Sequence, residues 1–446
     1  MKIDAKITAA DLAGPVKRVL QLAGEKARLL EKEWDVSRGT PVFTVQGKYT
    51  SRGWTEWTQG FQYGIAILAF DGTDQKDLLE LGRKKTLANM GTHVSHIGVH
   101  DHGFNSLSTY GNLRRLMREG RISHDDWELA FYELAIKTSG AVQAARWAEG
   151  ADGGYIYSFN GPHSLFIDTV RSLRILGLAH QLGHALMGEN DRKISLLERL
   201  VAHGLTTAKF NVFYGSGRDA YDLPHLRGRT AHEAIFNRND GRFRCPNSQQ
   251  GYSPFSTWTR GLAWAILGFA EELEFFRAVE VDAVHIKTFE EAARATADFY
   301  IEQATAADGI PYWDTGAPAL HRLGDWRERD AEPFNDFEPV DSSAAAIAAQ
   351  GLLRLGKYLG EPRYTAAGLA VARTLLGTEY LAESSGHQGL ILHSVYHRPN
   401  GWDFIPPGRK VPCGESSLWG DYHAVELAVY LQRIIDGKKK YLTFFD

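Results

Sequence analysis

Apolar residues recur along this chain at three- and four-residue spacing, one helix-length segment after another, with almost none of the alternation that marks strands. The first amphipathic segment spans 11–34; the second spans about 54–70, with Trp57, Phe61, Gly64, Ile65 and Leu68 on one face. Asp71-Gly72-Thr73-Asp74 turns the chain and caps a third segment, 74–90, and a histidine-rich loop at 91–103 leads into a fourth, 104–118. Further segments follow at 125–149, 168–186, 191–210, 258–276, 284–304, 341–359, 362–380 and 417–434. The pattern predicts about twelve helices in six pairs. In most pairs a more polar helix precedes a more apolar one richer in glycine and alanine.

A repeated polar–apolar pair suggests a closed ring, with the apolar helix inside and its polar partner outside. An all-α (α/α)6 barrel satisfies the count. An open solenoid is the competing architecture, but the pairs vary too much in length for regular stacking. No linker rich in Pro, Gly or Ser divides the chain, so residues 1–446 are expected to form one catalytic domain. The loops entering the inner helices are the long ones, and they carry the unusual residues: Trp54 and Trp57; His100, Asp101 and His102; Tyr155, Tyr157 and Asp168. Later loops add His232, Gln249 and Gln250; Trp313, Asp314 and Asp341; and Glu415 and Trp419. In a ring of parallel inner helices these loops share one mouth, where barrel scaffolds tend to carry their sites.

Composition narrows the function. The 446 residues are 43% hydrophobic and 11% aromatic, enough for a large core. Lys+Arg number 50 against 54 Asp+Glu, and the net charge is -4. The one basic run, Lys438-Lys439-Lys440, fits a solvated helix end, so nucleic acid is not an expected partner. The first residues show neither an apolar signal core nor a cleavage site, and no apolar run is long enough to span a bilayer, so no membrane association is expected. Two cysteines, Cys245 and Cys413, each beside a proline, fit free thiols in a reducing cytoplasm.

The stretch Gln250 to Trp264 is the centre of the candidate site. Ser256-Thr257 offer N-cap side chains to an apolar helix whose first turn carries Arg260. A cation there opposes the helix dipole, so an anion nearby is the natural explanation. Tryptophans and tyrosines with a few carboxylates and amides suit a sugar site: aromatic faces cover pyranose C–H patches and polar tips fix the hydroxyls. Two carboxylates then serve as acid and base. Asp101, in His-Asp-His-Gly-Phe, and Asp168, after Phe166 and Ile167, are the candidates, and an acid flanked by apolar groups, as Asp168 is, suggests a raised pKa. The same residues are equally a turn residue and a helix cap, and Asp341 is expected only to cap. His93, His96, His100 and His102 cluster, and His180 and His184 lie four apart on an expected helix, but neither set forms His-Glu-x-x-His. No metal and no cofactor are expected. Gly215-Ser216-Gly217 lacks the rest of a phosphate loop, and no Gly-x-Ser-x-Gly nucleophile elbow stands out.

Gln250-Gly251-Tyr252 followed by Ser256-Thr257-Trp258-Thr259-Arg260-Gly261-Leu262-Ala263-Trp264 resembles the signature of the unsaturated glucuronyl hydrolases, glycoside hydrolase family 88. Trp57 to Phe61, His100 to Phe104, Ile167-Asp168, Asp341 to Ala344 and Ser417 to Tyr422 match in the family's order, over roughly residues 50 to 435. The resemblance implies an (α/α)6 barrel, in agreement with the helix count. It also implies an unusual glycosidase reaction, hydration of the C4=C5 double bond of an unsaturated uronic acid at the non-reducing end of a lyase-generated oligosaccharide. By motif match Asp168 is the general acid and base, and Asp101 the second carboxylate that sets its charge. His232 and Gln250 contact the sugar or hold the water, while Trp57, Trp258 and Trp264 form aromatic walls. Arg260 supplies positive charge near the uronate.

The chain departs from the family pattern at Leu262, where Gln is common, and at Gln249, where His often stands. The segment before Asp168 has no Trp, only Tyr155, Tyr157 and Phe159, and Arg171 and Arg174 are unexpected. These changes touch substrate choice more than reaction. The alternatives are a related uronide hydrolase, acting on a saturated β-glucuronide or an unsaturated rhamnogalacturonide, and a sugar isomerase on the same barrel.

Overall fold

The computed structural model describes residues 1–53, 56–438 and 442–445; Trp54 and the Lys439–Lys440 part of the basic run lie outside them. Six outer–inner helix pairs follow in chain order, as an (α/α)6 barrel. The outer helices are α1 (Ala13–Glu33), α3 (Lys76–Asn89), α5 (Asp126–Ala145), α7 (Leu196–Phe210), α9 (Ala283–Phe299) and α11 (Pro362–Leu375). The inner ones are α2 (Gln59–Thr73), α4 (102–118, with a wide π turn at Leu107–Gly111), α6 (169–181, interrupted at Leu173), α8 (Thr259–Phe275), α10 (Ser342–Leu359) and α12 (Leu418–Ile435).

The burial pattern explains the order of each pair. Inner helix α8 is buried on every side, from Thr259 through Leu273, whereas outer helix α1 hides one stripe: Val16, Val19, Leu20, Ala23, Ala27 and Leu30. A helix apolar all round must be enclosed, and an amphipathic one covers it. Neighbouring inner helices approach closely through glycine. A Cβ on Gly60 of α2 would stand 2.3 Å from the Asn105 carbonyl of α4, and one on Gly103 of α4 would stand 2.1 Å from the Ser172 carbonyl of α6. The ring closes where Phe61 of α2 meets Tyr422 of α12, ring centroids 4.9 Å apart.

The closed interior is not wholly apolar. Arg171 and Arg174 of α6, unexpected in the sequence, are fully buried and paired with acids across the axis. Arg171 reaches Glu271 of α8 at 2.9 Å and Glu426 of α12 at 3.0 Å. Arg174 lies 3.4 Å from Glu271, and Arg354 of α10 meets Glu274 at 2.6 Å. Glu272, beside them, is buried with both carboxyl oxygens unpartnered, and burial pushes its pKa well above the ordinary value.

Several helices end earlier than periodicity implies. α5 stops at Ala145 and α6 at Gln181, so His184 follows a turn instead of standing one helical turn above His180. Short strands occupy these intervals. One three-stranded antiparallel sheet, ordered Ser164–Phe166, Glu233–Phe236, Phe243–Asn247, positions the site. Cys245 is exposed on its edge and Cys413 is buried elsewhere; both are free thiols. Among the described residues no helix is long and apolar enough to cross a membrane.

Candidate active site

The sheet delivers Asp168. Its first strand ends at Phe166, and Ile167 then donates its backbone N–H to the His232 carbonyl at 2.9 Å. Asp168 is the next residue, at the N-terminus of α6, and its side chain makes no capping hydrogen bond. Asp101 stands likewise before α4 without capping it. The bland roles of cap and turn therefore do not account for either carboxylate.

Both acids meet at His100. Its Nε2 lies 3.4 Å from Asp168 Oδ1 and 3.8 Å from Asp101 Oδ1, so the three groups form one cluster on one side of the pocket. The imidazole is held by Phe159, tilted at 5.5 Å, and by the edge of Phe166 at 5.6 Å. Burial disfavours a charged His100, but Asp101 and Asp168 outweigh it and raise its pKa above the usual imidazole value. Burial lifts Asp101 to about 6 against the opposing pull of His100. Burial works the same way on Asp168, but the contact with His100 and the charges of His100, His232 and Arg260 override it, leaving Asp168 below the ordinary carboxylate value. The raised pKa expected of an acid with apolar flanks thus fails for Asp168, because groups from other hairpins that favour its charged form face it.

Around this cluster lies a pocket that takes its walls from several hairpins. Of the residues singled out in the sequence, Trp57, Asp101, Asp168, Gln250, Trp258, Arg260 and Trp264 line it. Trp57 stacks on Trp419 at 5.1 Å, and Trp264 packs against Phe104 at 4.9 Å. Trp258 occupies the N-cap position of α8 without a side-chain cap, so Ser256-Thr257 do not cap this helix; Thr257 Oγ1 bonds the backbone of Thr230 instead.

His232 is not in the lining and stands behind it. Its ring packs on Phe166 at 4.4 Å and Trp258 at 4.8 Å, and its Nδ1 accepts the backbone N–H of Gln249 at 2.9 Å. Because its carbonyl holds Ile167, one residue fixes the approach of both Asp168 and Gln250.

The place of Arg260 in the first turn of α8 called for a nearby anion, and the fold supplies one. The anion beside it is Asp341, whose Oδ2 meets Nη1 at 2.7 Å, while Asp341 Oδ1 accepts the Ser343 N–H at 3.1 Å. Asp341 therefore caps α10 and neutralises Arg260 as well. The remaining Nη donors go to the carbonyls of Val395 and Tyr396 and, at 3.1 Å, to Gln250 Oε1. With four Nη hydrogens engaged, Arg260 is a clamp between the Gln250 loop, α10 and the 395–397 backbone, and it also lines the pocket.

The sequence reading missed a wall. Tyr396, His397 and Trp402 line the pocket from the loop before α12, and Phe159 fills the side where no Trp precedes Asp168. Asp403 builds this wall by accepting the backbone N–H groups of Tyr396 and His397. Tyr155 lies instead in a separate small core, and Tyr157 under the Arg146 guanidinium. His102 is turned away, bonded to Ser139 at 2.7 Å and the His96 carbonyl at 2.9 Å. Among the described residues no three His, Cys, Asp or Glu side chains gather as a metal-holding group.

No family model matches the chain. Curated relatives match along nearly its whole length. An unsaturated glucuronyl hydrolase of Bacillus sp. (strain GL1) is 27% identical, covering 93% of this chain and 96% of the relative. An unsaturated chondroitin disaccharide hydrolase of Streptococcus agalactiae is 25% identical over 84% of this chain and 81% of its own length. The crystal structure of the unsaturated glucuronyl hydrolase from Bacillus sp. GL1 superposes with a TM-score of 0.70 at 24% identity, covering 95% of this chain and 97% of that one. Matched in sequence and in barrel fold from the first hairpin to the last, the chain is a divergent relative of the unsaturated glucuronyl hydrolases, a family of glycosidases.

Proposed function

We propose that this protein removes a 4,5-unsaturated uronic acid from the non-reducing end of lyase-generated oligosaccharides by adding water across C4=C5. Its relatives' names, for unsaturated glucuronyl and chondroitin disaccharide substrates, support the substrate class. The observation that carries the mechanism is the meeting of Asp101 and Asp168 at one imidazole nitrogen inside an aromatic pocket.

The contact between Asp168 and His100 favours the carboxylate of the first and the protonated imidazole of the second. A uronate entering beside it adds negative charge, which pushes the Asp168 pKa back up and favours its protonated form. Asp168 then gives its proton to C4, and the positive charge on C5 is shared with the ring oxygen. The resulting carboxylate takes a proton from water as the water oxygen bonds to C5, restoring the acid. The C5 hemiketal opens by breaking its bond to the ring oxygen. That oxygen is left as a hydroxyl on C1, and the C1 hemiacetal collapses to an aldehyde and expels the shortened saccharide. Asp101, buried and protonated up to about pH 6, sets the charge of the cluster and is placed to bond sugar hydroxyls. Trp57, Trp258 and Trp264 cover ring faces, and Gln250, fixed through Oε1 by Arg260, offers its amide nitrogen. We place the whole of 1–446 in one catalytic domain; its two free thiols suit the cytoplasm.

The test is turnover of an unsaturated glycosaminoglycan disaccharide in heavy water. Loss of the ultraviolet absorbance of the double bond, one deuterium at C4, and collapse of both in Asp168→Asn are expected. Release of an intact saturated or unsaturated uronic acid without deuterium at C4, or full activity of Asp168→Asn, overturns the mechanism. A product of unchanged mass would make the enzyme an isomerase.

A further inference from the structure

Outer helix α5 carries an apolar stripe that nothing among the described residues covers. Trp127 is 87% exposed, Leu134 61% and Phe131 46%. Their spacing of four and three residues puts them on one face, and Ala130 lies between them, also exposed. The opposite face is occupied in the ordinary way, by Tyr132, Ile136, Ser139 and Gln143, all buried. On α3, Leu87 is 45% exposed, one turn beyond Arg83, whose guanidinium lies 3.3 Å from Glu128 of α5. Isolated exposed apolar side chains are ordinary, but a contiguous group with a fully presented tryptophan marks an interaction surface.

Charge along the same helix indicates the occupant. Its acids, Asp126, Glu128 and Glu133, fall in the first half, and its one base, Lys137, in the second. The hairpin packed beside the helix adds exposed Arg192 and Lys193 and a 53% exposed Met187. The surface is therefore complementary to itself when reversed. A twofold axis across the helix near Phe131 would set Trp127 against the partner's Leu134 and Asp126 beside the partner's Lys137, twice over. An isologous interface needs this property. A membrane-surface helix has basic flanks instead.

We infer that α5 is the contact surface of a homodimer in which two copies of this helix pack antiparallel. The inference is independent of the proposed reaction. Light scattering and sedimentation of the full chain from low to high micromolar concentration test it. A mass rising from one chain to two is expected. Leu134→Glu and Trp127→Arg, both at exposed positions, should hold the protein at one chain with its thermal midpoint unchanged. Asp126→Lys should weaken the dimer about tenfold. Adding Lys137→Asp to that variant should restore it. A single-chain mass at every concentration, or a dimer indifferent to Leu134→Glu, overturns the proposal; failure of the charge exchange to restore binding overturns the antiparallel arrangement.

Discussion

Arg260 and Asp341 meet at 2.7 Å with both side chains withdrawn from water, and through this pair the loop before α8 is tied to the start of α10. Removing one member strands the other's charge in the interior, which costs about 3–5 kcal/mol. Asp341→Asn and Arg260→Ala should each lower the unfolding free energy by that order in urea titrations. Arg260→Lys keeps the charge but not the fork that reaches Gln250 and two carbonyls at once. Its thermal midpoint should fall less than that of Arg260→Ala. Its substrate KM should rise about tenfold if Gln250 loses one charge-assisted bond of about 1.5 kcal/mol.

Asp101 and His100 make stability depend on pH. The folded-state pKa of Asp101 is raised from 3.8 to about 6, so the folded chain binds a proton more tightly than the unfolded one. Stability from this group is complete below the unfolded value and is lost as pH rises toward 6. His100, also raised, adds a loss of the same sign above its unfolded value of 6.5. Asp168, lowered, acts oppositely, and only below 3.8. Asp101→Asn should flatten the decline between pH 4 and 6, a difference of about 2–3 kcal/mol at neutral pH. Chemical unfolding of the two proteins at matched pH values measures it.

Gly103 permits the contact of α4 with α6. A methyl group there would collide with the Ser172 carbonyl, a backbone atom that cannot swing aside. Gly103→Ala should cost about 1–3 kcal/mol or more. Because Asp101 and His100 precede this helix directly, activity should fall before the fold is lost. Thermal scans beside rate measurements separate the two effects.

Glu272 offers a gain. Its two buried oxygens have no hydrogen-bond partner, and its neighbour Glu271 adds repulsion to the cost of burial. Glu272→Met, close in volume and without polar atoms, should stabilise the barrel by about 1–3 kcal/mol at neutral pH. An unchanged or lower thermal midpoint would contradict this account.

The helix pairs were legible because each inner segment is apolar on every face while its outer partner is striped; α8 and α1 show the contrast in the residues alone. Asp101, Asp168 and most tryptophans were legible from motifs that sit where loops enter inner helices. His100 was visible as a member of a histidine cluster and of a matched motif but not as the partner of both acids, since that role depends on two acids 67 residues apart in sequence reaching one nitrogen. The charge on Asp168 was misjudged because apolar neighbours in sequence say nothing of cations brought in from other hairpins. Tyr396, His397 and Trp402 carried no signal: they lie on a loop held by Asp403 and Arg260, contacts that only the folded chain creates. The three-stranded sheet escaped notice because its strands are three to five residues long and the first lies far in sequence from the other two.

The meeting of Phe61 with Tyr422 has a consequence for biosynthesis. The earliest inner helix to leave the ribosome must wait for the last before its flank is covered, and the wall bearing Trp402 is translated only just ahead of that last helix. A nascent chain arrested before residue 418 would expose an unsealed seam of α2, offering chaperones a target that vanishes once synthesis passes α12.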